Sequence, residues 1–488
     1  MLNNRFSTLS LLALLAGVAW AQDAAAVLKS ATKAMGEVKS IQYSGTGHLA
    51  GFGQAWNPTS PWPETIVKSY TKTIDYGSQS AREELVRNEG DPPDKGGAAP
   101  FSGDQRQVNL VSGQYAWNQP GNAPVAAVVD GNPTSSARVA EERQLQIWLT
   151  PHGFLNGAVQ NNATAKKGKG GTDVTFTAMG KFKVTGTIDS QGLVTKTETR
   201  VDNPVLGDML IETDYSGYKD IGGGVKFPAM IVQKQGGYPV LDLAVTDVKA
   251  NVPLILTVPD SVKTAKLPAV VVQSQKLGDG LWWLAGGSHH SVVVEYPNYI
   301  TVIDGPLNDE RAMAVIAEAK KLVPNKPIKY LVNTHQHFDH AGGIRAFIAE
   351  GAIVITQAMN KPYYERIFKA PHTLNPDRLS RSPRKATYVT VNDKFVLSDG
   401  GREIDVYHMQ NNTHNEGMLM VYIPKEKVLV EADMFVVPVA NPPAPRTLSN
   451  IKNLAENIER LKLDVVTFAS LHGTVIPATE IKKFLGAP

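Results

Sequence analysis

The sequence predicts an α+β chain of two domains, a mainly antiparallel β-sheet domain followed by one in which strands and helices alternate. Three observations predict it. At 488 residues the chain exceeds what one ordinary core serves, so two domains are the starting expectation. Over residues 22–264, short strand-like segments follow one another, broken by Gly, Asn, Asp or Pro turns. Over residues 265–488, strand and helix periods alternate, as a layered α/β unit requires.

The first 21 residues stand apart from the fold. Arg5 precedes an apolar run, Phe6 to Val18, and Ala19-Trp20-Ala21 is a small-x-small cleavage site before Gln22. The run is short of the ~20 residues that span a bilayer. A signal peptide over 1–21 is expected, and with it a periplasmic or secreted mature protein. The chain has no cysteine, which removes a lipid anchor at the cleavage site, disulfides and thiolate metal ligands. Hydrophobic residues at 42%, charged residues at 19% and a net charge of +3 suit a soluble globular protein. So small a charge carries no nucleic-acid or membrane-surface signature and says little about partners.

In the first domain, Ala26, Leu28, Ala31 and Met35 mark one amphipathic helix. The strand-like segments then begin with IQYSGTGHL and TIVKSYTKTIDYG and continue through DVTFTA, KFKVTGTID, GLVTKTETRV and MLIETDYSGY to YPVLDLAVTDV. A second helical stretch lies near Ala140 to Leu149, and Asn88 to Asp104 reads as a loop. Three prolines in PLILTVPDSVKTAKLP mark the connection between domains. Beyond it come strands GLWWLAG, SVVVEY and YITVID. A helix capped by Asn308 or Asp309 and stopped at Pro324 follows, then strand IKYLVN, a helix closed by Gly351, and strand AIVIT. MLMVYIP and KVLVEAD form a hairpin, Ile451 to Leu461 a helix, and DVVTFAS a last strand before a C-terminal helix.

Residues 333–343 read NTHQHFDHAGG, placing three of the chain's 11 histidines and an aspartate within six positions. The stretch begins where IKYLVN ends, so a rigid strand can position ligands while the loop bends. His335 and His337 alternate, and a turn is needed to bring them together; Gly342 and Gly343 permit close backbone approach. His414, Asp433 and His472 each follow a strand end, as expected for a site at a sheet rim. Neutral imidazole and carboxylate ligands suit zinc and related metals. Five histidines and two aspartates suffice for two ions in one pocket.

In this order, His335-x-His337-x-Asp339-His340, His414, Asp433 and His472, with Asp304 in VIDGP, the sequence from about Val270 onward resembles the metallo-β-lactamase fold superfamily of metal-dependent hydrolases. The resemblance implies an αββα sandwich holding two Zn2+ per chain and a small-molecule substrate as its partner. It implies that His335, His337 and His414 hold the first metal, that Asp339, His340 and His472 hold the second, that Asp433 bridges them, and that Asp304 supports the site. It further implies a metal-bridging hydroxide, oriented by Asp339 as the catalytic residue, that cleaves an ester, lactone, β-lactam or thioester; sulfate or phosphate esters are less favoured. The chain departs from cysteine-ligated lactamases and from the flavodiiron branch, which carries a carboxylate where His337 stands.

Two alternatives use other chemistry. One is a mononuclear iron dioxygenase on the same fold. The other is a periplasmic carrier of apolar ligands with an inert C-terminal domain, since the first domain, with TDYSGYKDIGGGVKFPAMI, looks like the curved sheets of periplasmic lipoprotein-carrier proteins. Smaller expectations follow. His289 and His290 read as turn or surface residues, Trp282 and Trp283 as packing, and His408 as lying beneath the pocket. His48 and His152, in the first domain, carry no chemistry. The insertion 361–384, with His372, and the loop 436–447 read as pocket walls. All assigned ligands lie beyond residue 300, so the C-terminal segment is expected to build its site alone.

Overall fold

The computed structural model describes residues 24–90, 95–97, 100–119, 125–126, 135–266, 269–437 and 444–485. The expected signal peptide and parts of the loops 88–104 and 436–447 lie outside them.

The first domain is one antiparallel sheet of 13 strands with helices against it. Its helix over 24–35 buries Leu28, Ala31 and Met35 as expected, but its first buried position is Ala24 rather than the expected Ala26, which is exposed. The strands Ser40–Ala50 and Tyr238–Ala250 pair at the sheet's middle, closing the chain on itself before the connection. All seven expected strands are present. The sheet also takes in Ser80–Asn88, Gln105–Ser112, Tyr115–Asn118, Val125–Ala126, Thr164–Lys167 and Met230–Gln235. The expected single helix near 140–149 is two, Ser135–Trp148 and Pro151–Gln160. Pro151 explains the break, because proline opens a helix readily but cannot sit inside one.

The second domain is an αββα sandwich. One sheet runs Gln273–Gly278, Leu281–Ala285, Ser291–Glu295, Ile300–Ile303, Ile328–Val332, Ile353–Gln357 and Tyr388–Val391, antiparallel up to Ile300–Ile303 and parallel after it. The other runs Lys394–Asp399, Arg402–His408, Leu419–Ile423, Val428–Glu431, Thr467–Ser470 and Val475–Pro477. Leu281, Val292, Val294, Ile303, Val332 and Ile355 of the first meet Ile404, Val406, Val421, Leu429 and Phe468 of the second in one core. Helices Asp309–Leu322 and Ile344–Glu350 cover the first sheet's outer face, and Pro445–Leu461 covers the second's. Asn308 caps its helix by accepting from the Arg311 amide. The expected C-terminal helix is instead a strand, Val475–Pro477, and a short 3-10 helix, Ala478–Lys483. Among the described residues no helix is long and apolar enough to cross a membrane.

Candidate metal centre

The parallel strands Ile300–Ile303 and Ile328–Val332 of one sheet, and Val428–Glu431 and Thr467–Ser470 of the other, end at one rim. Asp304, the 333–341 turn, Asp433 and His472 leave from those ends. Asp304 and Asp433 sit at φ 58° and 60°, left-handed backbone that aspartate tolerates better than most residues but that still costs about 1–2 kcal/mol. Both are held there. The Asp304 amide donates to the Val332 carbonyl at 2.8 Å, and the Glu431 carboxylate accepts from the Met434 and Phe435 amides at 3.1 Å each. A Cβ on Gly342 would lie 1.9 Å from the Leu307 carbonyl oxygen, so only glycine lets the turn pass beneath the site.

Asp304 is buried and anchors the turn. Its carboxylate accepts from the Thr334 amide and hydroxyl at 2.8 and 2.7 Å and faces His340 Nδ1 at 2.8 Å. Because Thr334 gives its hydroxyl hydrogen to Asp304, it can only accept from His335 Nδ1, 3.2 Å away. His340 Nδ1 donates to Asp304, and His337 Nε2 donates to the Ala55 carbonyl at 2.9 Å. Each outer nitrogen therefore carries the hydrogen. His335 Nε2, His337 Nδ1 and His340 Nε2 are left as lone pairs, all buried without a hydrogen-bond partner.

These lone pairs converge. His335, His337, His414 and Asp433 each offer a ligand atom within 4.8 Å of the others. Asp433 Oδ2 lies 3.3 Å from His335 Nε2, 2.9 Å from His340 Nε2 and 3.4 Å from His414 Nε2, with none of these contacts in hydrogen-bond geometry. Lone pairs packed around one carboxylate oxygen repel unless a cation stands among them. Burial, then the neighbouring rings, brings His335 down to about 4 and holds His337 well below the usual imidazole range, so both are neutral and ready to ligate. His340 moves the other way. Burial opposes its charge, but Asp433 and Asp339 outweigh it and raise the imidazole well above its ordinary value, so positive charge is favoured at this point of the site. The donor set fits a divalent metal.

A second group lies beside the first: His289, Asp339 and His472, again with ligand atoms within 4.8 Å. The rings of His289 and His472 are 4.3 Å apart, centre to centre. Burial works against an ionised Asp339, yet His340 and His289 hold its carboxyl well below the usual range. His340, expected at the second metal, faces Asp433 more closely than Asp339, at 2.9 against 3.9 Å. The reading of His289 and His290 as surface residues is corrected, though they do belong to a turn. Both are buried, because the His290 amide donates to the Leu471 carbonyl at 2.9 Å and pins their turn beside His472. His290 itself packs on Trp283, and His289 turns into the site. His408 sits as expected beneath the loop that carries His414, its Nε2 2.7 Å from the Glu416 carbonyl. Buried His152 faces the Met35 carbonyl at 3.3 Å, a packing role within the first domain.

The site also takes residues from the first domain, which sequence reasoning missed. The segment between strands Ser40–Ala50 and Glu64–Asp75 crosses the rim as a strap. Gln54 Nε2 donates to Asp339 Oδ1 at 3.0 Å, and the Ala55 carbonyl also accepts from Gln336 Nε2 at 3.0 Å and Asn415 Nδ2 at 3.4 Å. Trp56 Nε1 donates to the Asn412 carbonyl and Asn57 to Glu416, clasping the loop that carries His414. Phe52 and Trp62 meet Phe338 edge-on. A signal existed: Phe52, Trp56 and Trp62 are more aromatic surface than a plain hairpin turn uses. The insertion 361–384, expected as a pocket wall, binds the first domain instead, where Asp208 accepts from the Thr373 and Leu374 amides.

The family model described as Metallo-beta-lactamase superfamily matches residues 284–468. A linear primary-alkylsulfatase of Pseudomonas sp. (strain ATCC 19151) is 36% identical over 58 residues, 12% of this chain and 11% of that relative's length. The chain therefore matches only about a ninth of that protein. Among solved structures, a metallo-beta-lactamase from Pontibacter korlensis is 18% identical, covers 43% of this chain and 95% of its own, and has a TM-score of 0.32. The rubredoxin oxygen:oxidoreductase of Desulfovibrio gigas is 17% identical, with 43% and 59% covered and a TM-score of 0.35.

Proposed function

Residues 284–468 being a domain of the metallo-beta-lactamase superfamily, we propose that this chain is an exported hydrolase that holds two zinc ions and cleaves an ester, lactone, β-lactam or thioester. One observation carries the reading: His335 and His340, their outer nitrogens tied as donors, turn their lone pairs on Asp433, and His337, tied the same way, offers its own within 4.8 Å of that carboxylate. His335, His337 and His414 would hold one ion, Asp339, His340 and His472 the other, with Asp433 between them. Ions bound there supply Lewis acidity and bring a water's pKa to about 7. Asp339, whose Oδ1 accepts from Gln54, would orient the attacking water and pass its proton on to the leaving group.

The stretch of identity with an alkylsulfatase supports a second reading, cleavage of a sulfate ester at the same centre. A panel of chromogenic lactams, lactones, carboxylic esters and sulfate esters, run on zinc-loaded and chelator-treated full chain, tests both. Turnover that needs zinc supports hydrolysis, and the substrate cleaved fastest chooses the bond. One tightly held iron with an oxygen-dependent product would replace it with the dioxygenase. Two bound zinc ions with no turnover on any class would favour the carrier. Export is part of the proposal, and a mature chain isolated from its native host should begin at Gln22.

A further inference from the structure

Resting on the dinuclear reading above, we infer that His289 is itself a ligand of the second metal, additional to Asp339, His340 and His472. His289 lies in a turn far from the HxHxDH stretch in sequence, yet three features of its setting suit ligation. It is buried, so its ring cannot be satisfied by water. Its Nε2 lies 3.1 Å from Asp339 Oδ2, the separation that two ligand atoms keep when each stands ~2.0–2.1 Å from one zinc. Its Nδ1 lies 2.8 Å from the Ser288 hydroxyl, which can accept that hydrogen and leave Nε2 as the lone pair, the same outer-donor arrangement found at His335, His337 and His340.

The backbone is built to hold it there. Arg311 Nη2, itself buried, donates to the His289 carbonyl at 3.0 Å, and the next residue's amide is bonded to Leu471. Gly286 leaves room for that arginine, since a Cβ there would lie 1.7 Å from Arg311 Nη1. The ring therefore has little freedom to leave the site. The competing role is a hydrogen bond, with Ser288 as donor and His289 Nε2–H positioning Asp339. The two roles differ in what a glutamine does. Its amide keeps a donor for Asp339 but is a poor zinc ligand.

The test is a titration of metal-free full chain with Co2+, followed by its visible absorption, for wild type, His289→Gln and His289→Ala. Wild type should take two equivalents. Both variants should keep the first equivalent's affinity, which also reports an intact fold. Both should bind the second more weakly by over ~100-fold, more than losing a neighbouring hydrogen bond produces, with an altered spectrum confined to that step. A wild type that takes a single equivalent overturns the dinuclear reading and this inference together. A wild type that takes two, with either glutamine or both variants matching it at the second step, overturns the ligand role alone. Should both variants lose the first equivalent too, X-ray absorption of the zinc-loaded wild type decides. An imidazole count of five over the two ions fails the inference, and six supports it.

Discussion

Gly53 tests whether the strap is part of the metal centre. It sits at φ +71°, and a Cβ there would lie 2.4, 2.6 and 2.9 Å from Cγ, Cδ2 and Cβ of Phe338. Carbon atoms rest ~3.5 Å or more apart, so Gly53→Ala demands a shift of about 1 Å. Phe338 is poorly placed to supply it, packed between Phe52 and Trp62 and flanked by His337 and Asp339. The strap moves instead. A shift of that size takes the Ala55 carbonyl, 2.9 Å from His337 Nε2, out of hydrogen-bond range. Loss of such an orienting partner typically weakens a metal site 10–100-fold. The left-handed backbone adds ~1–2 kcal/mol to the turn itself, too little to unfold the chain. Zinc affinity is measured by competition with a chromophoric chelator. Gly51→Ala, whose Cβ meets nothing nearer than 3.5 Å, is the matched control. Gly53→Ala should lose at least tenfold in the tighter equivalent while Gly51→Ala stays at wild type. Equal affinity in all three proteins would refute the argument that the strap orients His337.

The isolated segment 266–488, expected from sequence to build its site alone, lacks the Ala55 carbonyl and Gln54. If it folds by circular dichroism, it should bind zinc at least tenfold more weakly than the full chain, and matching affinity would contradict this. Asp339→Asn should keep the first metal equivalent, weaken the second, and lower turnover by ~10²-fold or more even at saturating zinc; near-normal turnover would make Asp339 structural only. In the first domain, burial brings His152 from 6.5 down to about 4. The unfolded chain therefore takes up the proton first, and stability present above pH 6.5 is lost as the pH falls toward 4, by up to about 3 kcal/mol. His152→Phe should flatten the urea-measured stability of that domain across this window, and an unchanged slope would remove His152 as the cause.

Much of the centre was legible because its ligands leave strand ends, and strand ends show in hydrophobic pattern. His335, His337, His414, Asp433 and His472 were placed that way, Asp304 came only from the family resemblance, and Asn308 was readable as a cap from its own neighbours. Residues set by pairing of distant segments were not. His289 enters the site only because its turn is bonded to Leu471, and nothing within GSHHS records that bond. Gln54 meets Asp339 across 285 positions of sequence. The strand Ser80–Asn88 went unread because charge hides its alternation. Glu83 points inward, where Lys72 at 3.1 Å and the Tyr70 hydroxyl at 2.6 Å satisfy it. Burial, which raises a carboxyl, is outweighed there by Lys72 and the hydrogen bonds, leaving Glu83 at about 2. A half-buried, paired carboxylate looks in sequence like a solvent-facing one.

The central claim is that the converging lone pairs at the rim hold two metal ions. Anomalous diffraction at the zinc edge, from crystals of the zinc-loaded full chain, tests it most directly. Two peaks are predicted, ~3.5–4 Å apart, one among His335, His337 and His414 and one beside Asp339 and His472, with Asp433 between them. A single peak, or two peaks away from these residues, would contradict it.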